Sequence, residues 1–432
     1  MIRAFITCVA LFVAVPAWAE INIKEVTSPG GINAWLVEEP SIPFVALEIR
    51  FKGGTSLDAE GARGATNLMV GLLEEGTGDM DSQAFAKASE ELAAQFGYDS
   101  HADAVSISAR VLTENRDEAL ALLRKSLVAP SFPQDALDRV REQVLSGLRS
   151  DLKDPDKIAG ARMAEIIYGD HPYGSAGEGT IESVTHLTRE DMIAAHKGAM
   201  AKDRLFVGVV GDITAEELGP VLDTLLGYLP ETGAPMPGPA KVDIMGGVDV
   251  VDFDTPQSVA MFAQNGIDRD DEDFFAAYVL NTILGGGGFE SRLMEEVRVK
   301  RGLSYGVYSY IVLRDLANVY MGSVSSANDR VAQAIEVIQD EWALMAAEGP
   351  TEDEVAKAKA LLTGAYPLRF DGNGAIATIM VSMQMDNMPI DYIATRNDKV
   401  DAVTVEDVKR VAGELLTPEK LQFVVVGKPE GL

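Results

Sequence analysis

The stretch LGGGGFESRLMEEVRVKRGLSYGVYS, residues 284–309, decides how the rest of the chain is read. Gly285, Gly286, Gly287 and Gly288 are consecutive, and glycine loses the most backbone entropy on folding while offering no side chain to pack. The four are therefore expected outside any helix or strand interior, as a flexible or closely approached loop. Residues 290–301 read as a helix with Leu293 and Val297 on one face and charges elsewhere, closed by Gly302 as a C-terminal glycine. Val307, Ser309 and Ile311 alternate with Tyr308, Tyr310 and Val312, which predicts a strand. Arg298 then lies near the helix end and Tyr305 at the start of the strand, where a guanidinium fork and a phenol could meet the carbonyls of an extended peptide. An ordinary loop, helix and strand, with a solvated arginine and a half-buried tyrosine, fits the same residues.

Working outward, the chain repeats itself. TREDMIAAHKGAMAKDRLFVGVVG, residues 188–211, aligns without a gap on TVEDVKRVAGELLTPEKLQFVVVG, residues 404–427, at a constant offset of 216. Pro133 to Gly147 and Pro350 to Gly364 share a spacing at an offset of 217, so one long unit has been duplicated. Within the first unit, Val45, Leu47, Ile49 and Phe51 mark one face of a strand. Val105, Ile107, Ala109 and Val111 mark another, half-buried and antiparallel. Helical patterns intervene at 84–96 and 135–152, and Thr188 and Thr404, each followed by Glu-Asp two residues on, predict N-caps. Strands and helix pairs without regular βαβ alternation predict an α+β fold: two duplicated domains, each a mostly antiparallel sheet with helices on one face. Residues 229–241, LPETGAPMPGPAK, hold four prolines and two glycines and read as an extended surface linker.

Residues 1–19 read as a leader rather than as structure. Arg3 supplies the basic region, residues 5–15 form an apolar run too short to span a bilayer, and Ala17-Trp18-Ala19 is a small-x-small cleavage signal. Cleavage after Ala19 and export, to a periplasm or outside the cell, are expected, with no membrane insertion afterwards. The resulting domain limits are 20–229, 230–241 for the linker and 242–432. The single cysteine, Cys8, lies in the leader, so the remaining chain has no thiol for disulfides, metal ligation or nucleophilic catalysis. The formal charge of −30 disfavours nucleic acid and anionic membranes and favours solubility. No GxSxG elbow is present, and the glycine run lacks the GK[ST] ending of a phosphate loop.

The glycine run followed by SRL-x-EE-x-R-x-KRGLSYGVYS resembles the second-half signature of the pitrilysin and insulinase-like zinc peptidases, in their mitochondrial-processing-peptidase-like branch, and family-like stretches extend from Asn33 to Gly427. The resemblance implies a clam-shell arrangement of the two domains. It also implies that Arg298 and Tyr305, seven positions apart, bind the substrate backbone opposite the zinc, with Gly285 to Gly288 letting the peptide approach. The family's metal motif is HxxEH, two histidines one helical turn apart with a glutamate that polarises water. The matching stretch here is GATNLMVGLL, residues 64–73, which puts Asn67 and Gly71 at the ligand positions and Val70 at the base position. Leu148 falls where the family has its third ligand, a glutamate. None of these four can do the family's work. His101, His171, His186 and His196 show no metal-ligand spacing. His171 lies in DHPYG, a turn with a structural place in the family, and His101 is expected at a strand end.

The metal residues are lost while Arg298 and Tyr305 remain. On the resemblance, the expectation is a non-catalytic, substrate-binding subunit of a two-subunit zinc metallopeptidase, inactive alone. It would hold no cofactor of its own and pair with a homologous subunit that carries HxxEH and the zinc, acting on unstructured peptides. A homodimeric peptide-binding or assembly protein is the alternative, and an independent enzyme of unrecognised chemistry ranks last.

Overall fold

The computed structural model describes residues 21–432. The expected leader and its cleavage point lie outside the described residues. The strands are β1 (Lys24–Thr27), β2 (Asn33–Glu38), β3 (Phe44–Lys52), β4 (Gly76–Thr77), β5 (Met80–Asp81), β6 (Gln95–Ser100), β7 (Ala104–Leu112) and β8 (Leu205–Gly211) in the first unit. In the second they are β9 (Gly247–Asp252), β10 (Gln257–Asn265), β11 (Ser304–Leu313), β12 (Asn318–Ala327) and β13 (Gln422–Gly427). The first sheet runs β1-β2-β8-β3-β7-β6 and the second β11-β12-β10-β13-β9. Apart from the extra β1 the two orders are the same. In each, one parallel pair (β2 with β8, β9 with β13) starts a sheet that is otherwise antiparallel. The duplication read from the sequence is thus a duplication of topology.

It extends to the helix starts. Thr188 caps the helix Arg189–Ala199 and Thr404 caps Val405–Leu415, each in a reciprocal capping box with the aspartate three residues on. Gly211 and Gly427, which end the equivalent strands β8 and β13, hold φ of 145° and 153°. A Cβ would lie 2.2 Å from the carbonyl oxygen of Phe44 in one and 2.3 Å from Ser258 Oγ in the other. Both positions need glycine for the same reason, close approach of the neighbouring strand.

Strand alternation sorts the side chains onto two faces. In β3, β7 and β8, Ile49, Phe51, Val105, Ile107, Val207 and Val209 face the first unit's own helices. In the second sheet Ala260, Phe262, Tyr320, Val324, Phe423 and Val425 do the same. The opposite face of each sheet is covered by one helix from the other unit. The helix Pro155–Tyr168 of the first unit lays Ala159, Met163 and Ile167 on Val259, Val319, Val424 and Val426 of the second sheet. Asn373–Met385 of the second unit lays Ala377, Met380 and Val381 on Val210, Trp35 and Phe206 of the first. Arg162 adds an ion pair to Asp249 of β9 at 2.6 Å.

Residues 230–246 carry no helix or strand, and the linker is tied down through Lys202 N–H to Pro230 O at 2.9 Å and Ala240 N–H to Leu316 O at 2.9 Å.

Three local expectations are corrected. The helix expected over 84–96 is Ser82–Glu91, because Ala93 takes a left-handed φ of 50° and Phe96 belongs to β6. The glycine run is not wholly outside helix, since Gly285 and Gly286 close a π-helical turn, Thr282–Gly286, that continues Phe274–Asn281. The helix expected over 290–301 is broken: a 3₁₀ turn at Gly288–Glu290, extended backbone at Ser291, then a π-helical turn at Met294–Val299. Wide turns of this kind are rare and concentrate at functional sites. Among the described residues no helix is long and apolar enough to cross a membrane.

Candidate functional site

The stretch aligned with the metal motif forms the short helix Ala65–Val70, whose start is held from below. Asp58 accepts the N–H groups of Gly64 and Thr66, both at 2.8 Å, and the Arg63 guanidinium at 3.3 Å. Burial raises the Asp58 carboxyl above its ordinary range, against the pull of those same donors. Arg63 spends its other donors on Ser175 Oγ and on the carbonyls of Pro172 and Ser175, each at 2.9 Å, so it is a structural clamp.

Asn67 and Leu148 line one cleft of about 1310 Å³, which runs between the units past Tyr173 to Arg314. The alignment therefore brings these two positions together. Gly71 N–H donates to Asn67 O at 3.1 Å, keeping the two one turn apart on one face. Val70 is buried in the first core and Leu148 is only 8% exposed. A Cβ on Gly71 would sit 3.3 Å from Val140 Cγ1, and the position is exposed, so what is missing there is a ligating side chain rather than the room for one. The four positions do not fit a zinc ion: they offer one amide, two apolar side chains and no side chain at all. Among the described residues no three His, Cys, Asp or Glu side chains converge as a metal set.

The histidines are scattered. His101 pairs with Asp99 at 3.0 Å in the turn between β6 and β7, and His186 Nδ1 meets Glu182 O at 2.8 Å. His171 caps the turn Pro172–Gly174 by accepting Tyr173 N–H at 3.2 Å. His196 is buried against Leu127 O at 2.8 Å, and burial lowers its pKa.

The second-unit set is built differently. Gly285 is buried, and a Cβ there would lie 2.6 Å from Ser309 N, so it lets β11 pack on the π-helical turn. Of the four glycines expected along a substrate path, only Gly286, Gly287 and Gly288 reach the surface. Gly288 takes a left-handed φ of 64°, turning the chain so that Phe289 projects at 69% exposure. The Arg298 guanidinium lies over that ring, 4.6 Å from its centroid. Gly302 does end the turn, with φ of 61° and its N–H on Arg298 O at 2.9 Å.

Tyr305 sits in a β-bulge. Ser304 pairs with Ser326 and Val307 with Val324, so Tyr305 and Gly306 together oppose Ser325 alone. The Ser304 hydroxyl holds the bulge, donating to Gly306 O or Ser325 O, both at 2.7 Å, and accepting Gly306 N–H at 3.0 Å. A bulge re-aims the side chain it carries, and Tyr305 stands 86% exposed. Tyr308 and Tyr310 follow on the same outer strand, half exposed. Neither Arg298 nor Tyr305 is among the residues lining the Asn67 and Leu148 cleft. The sequence reading missed Phe289 as the arginine's platform; an aromatic directly after a glycine run was the available signal.

Arg292 anchors this segment. It donates twice to Glu354, at 2.6 and 2.8 Å, and once to Gly349 O at 3.2 Å, while Glu354 also closes the capping box of Glu352–Ala365 with Thr351. Burial pushes the Glu354 carboxyl up, but the Arg292 and Thr351 hydrogen bonds override it and hold the pKa at about 2, below its ordinary 4.5. A depressed carboxylate stabilises the fold above its unfolded pKa and loses that contribution as pH falls through the folded one. Arg292→Gln should therefore cost about 1.5 kcal/mol at pH 7, after discounting for solvent at the pair, with the difference from wild type vanishing between pH 4.5 and 2. Urea denaturation across that range measures it; a pH-independent difference would mean that the ion pair is not its source.

Comparisons with known proteins agree with this architecture. Residues 34–180 match the model of the insulinase family (peptidase family M16), and residues 186–362 match the peptidase M16 inactive domain. A crystal structure of a peptidase M16 inactive domain from Pseudomonas fluorescens superposes with a TM-score of 0.88 at 31% identity, over 94% of this chain and 98% of that one. A Helicobacter pylori protein named non-peptidase homolog YmxG is 25% identical over 393 residues, 90% of each chain. An uncharacterized zinc protease of Streptomyces coelicolor, SCO5738, is 26% identical over 412 residues, 91% of this chain and 87% of its own. With both halves matched and the duplicated fold shared, the chain belongs to the M16 peptidase family.

Proposed function

We propose that this chain is the non-catalytic, substrate-gripping subunit of an exported two-subunit zinc metallopeptidase. Its partner is a homologous chain that carries HxxEH and the metal. The observation that carries the reading is the separation of the two sets of positions. The positions that would hold zinc carry no donor set: Val70 is buried in the first core, Leu148 lines the cleft with an apolar group, and Gly71 has no side chain. Arg298 and Tyr305 stand elsewhere: Arg298 lies half-buried in a wide turn with its guanidinium over Phe289, and Tyr305 is carried exposed on a bulge. A relative named as a non-peptidase supports the same direction.

The chemistry supplied is positioning. Arg298 has planar donors stacked on Phe289, and Tyr305 offers a hydroxyl at high exposure. Both suit the carbonyls of an extended peptide, which the unpaired outer edge of β11 also accommodates by strand addition. Offered to a metal held by another chain, such contacts orient the scissile bond and lower the barrier through geometry. The leader expected at residues 1–19 supports a periplasmic or extracellular complex.

The test is reconstitution. The chain without its leader, expressed alone, should hold no stoichiometric zinc and cleave no unstructured peptide; mixed with the HxxEH homologue from the same source, it should raise peptide cleavage well above that of the homologue alone. Stoichiometric zinc and hydrolysis by the solitary chain would overturn the proposal. Arg298→Ala and Tyr305→Phe should leave assembly and melting unchanged. Each should lower the kcat/KM of the complex about tenfold to a hundredfold, the loss of one hydrogen-bonding contact of about 1–3 kcal/mol. Unchanged kinetics would make the pair structural.

A further inference from the structure

On a chain of net charge −30, one chamber gathers cations. A cavity of about 310 Å³ in the second unit is lined by Arg269, Arg369 and Arg396 together with five aromatic rings. Arg396 is only 4% exposed. Its Nη1 donates to Leu362 O and Asn397 Oδ1, both at 2.9 Å, and its guanidinium lies over Tyr366 at 4.6 Å and Tyr278 at 5.5 Å. Arg269 lies over Phe274 at 4.6 Å and Tyr392 at 5.8 Å, donating to Tyr392 Oη at 3.3 Å. Lys399 approaches the same walls, 5.4 Å from the Tyr392 centroid.

Among the described residues none of the three arginines forms an ion pair within 4 Å of a carboxylate, while most other arginines of the chain do. One carboxylate, Asp386, lines the chamber, and burial holds its pKa above the ordinary range, although Arg269 pulls it down. Three cations therefore face one acid that gives up its charge more readily than usual. A buried guanidinium without a counter-charge is costly, and a bound anion would remove that cost. The size is that of a small ligand site, the walls suit a flat ring, and the planar donors suit a carboxylate held by a fork.

We propose that this chamber binds a small aromatic carboxylate through Arg269 and Arg396. Two sources share that chemistry, a free aromatic acid and the C-terminal residue of a peptide. Nothing in this site touches Arg298 or Tyr305, so its test stands apart from peptidase activity.

Calorimetric titration of the chain without its leader should show N-acetyl-L-phenylalanine binding and N-acetyl-L-phenylalaninamide, which lacks the carboxylate, binding about tenfold or more weakly. Ala-Ala-Ala-Phe with a free C-terminus distinguishes the sources: tighter binding than the single residue assigns the site to peptide ends, weaker binding to free acids. Arg396→Met is the direct variant, but the residue is buried. Arg269→Met, at a half-buried position, supplies the second, and each should weaken the acid about tenfold in a protein whose melting shows it folded. Equal binding of acid and amide, no binding of either, or an unchanged affinity in folded Arg269→Met would overturn the proposal and leave the arginines as packing for the rings.

Discussion

Gly208→Val should destabilise the chain by about 3 kcal/mol and split its unfolding into two steps. Gly208 lies in β8 where the helix Asn373–Met385 crosses the first sheet. A Cβ there would stand 2.7 Å from the carbonyl oxygen of Ala377 and 2.9 Å from Val381 Cγ2. The first of these is backbone, which no side-chain rotation can move aside. The helix must lift, and with it Met380 and Val381, both fully buried on Val210 and Phe206. That face is half of what couples the two units. The other half, Pro155–Tyr168 on the second sheet, stays in place. Two tryptophans among the described residues report on the event: Trp35 packs beside the crossing helix, and Trp342 is buried in the second core. Denaturant-induced fluorescence change should move to lower denaturant and become biphasic in the variant. One transition at an unchanged midpoint would mean that the helix is not what couples the units.

The exchange of helices between the sheets was not legible in the sequence, and the reason is physical. Alternation in β3 and β8 tells which residues leave the solvent, but Ala46, Gly208 and Val210 on the second face read equally well as a small, weakly exposed surface. Which helix covers them is a long-range choice that no local pattern carries. The repeat was legible because capping boxes and strand ends are local: Thr188 and Thr404, Gly211 and Gly427 do the same work in both halves. At the site, the alignment placed Asn67 and Leu148, 81 positions apart, in one cleft, because family spacing encodes which positions line it. The broken turns around Phe289 and Arg298 escaped because a π-helical turn has no composition of its own, and the periodicity of Leu293 and Val297 imitates an ordinary helix. The bulge under Tyr305 depends on one hydroxyl, that of Ser304, whose partners lie across the sheet and in its own strand.

Trp342→Ala should cost about 4 kcal/mol, the middle of the range for emptying a large buried ring. Trp342, on the helix Val331–Glu348, is fully buried between Tyr320 at 4.9 Å and Phe262 at 5.6 Å. Its indole N–H donates to Gln264 Oε1 at 2.7 Å, and Gln264, itself fully buried, also accepts Thr417 N–H at 3.1 Å and donates to Leu415 O at 2.8 Å. Truncation thus opens a cavity and weakens a polar node that joins β10 to the loop before β13. Trp342→Phe separates the two effects. It keeps much of the ring volume, and Gln264 Oε1 retains Thr417, so the expected loss is only about 1–2 kcal/mol. Phe262 also packs over Gly322, where β12 pairs with β11, the strand that presents Tyr305. Trp342→Ala should therefore lower the melting temperature and, in the reconstituted complex, reduce activity only as the folded fraction falls. Arg298→Ala should do the reverse, reducing kcat/KM at an unchanged melting temperature. A Trp342→Ala loss near 1 kcal/mol would show that the second core collapses around the gap and that the ring is not its keystone.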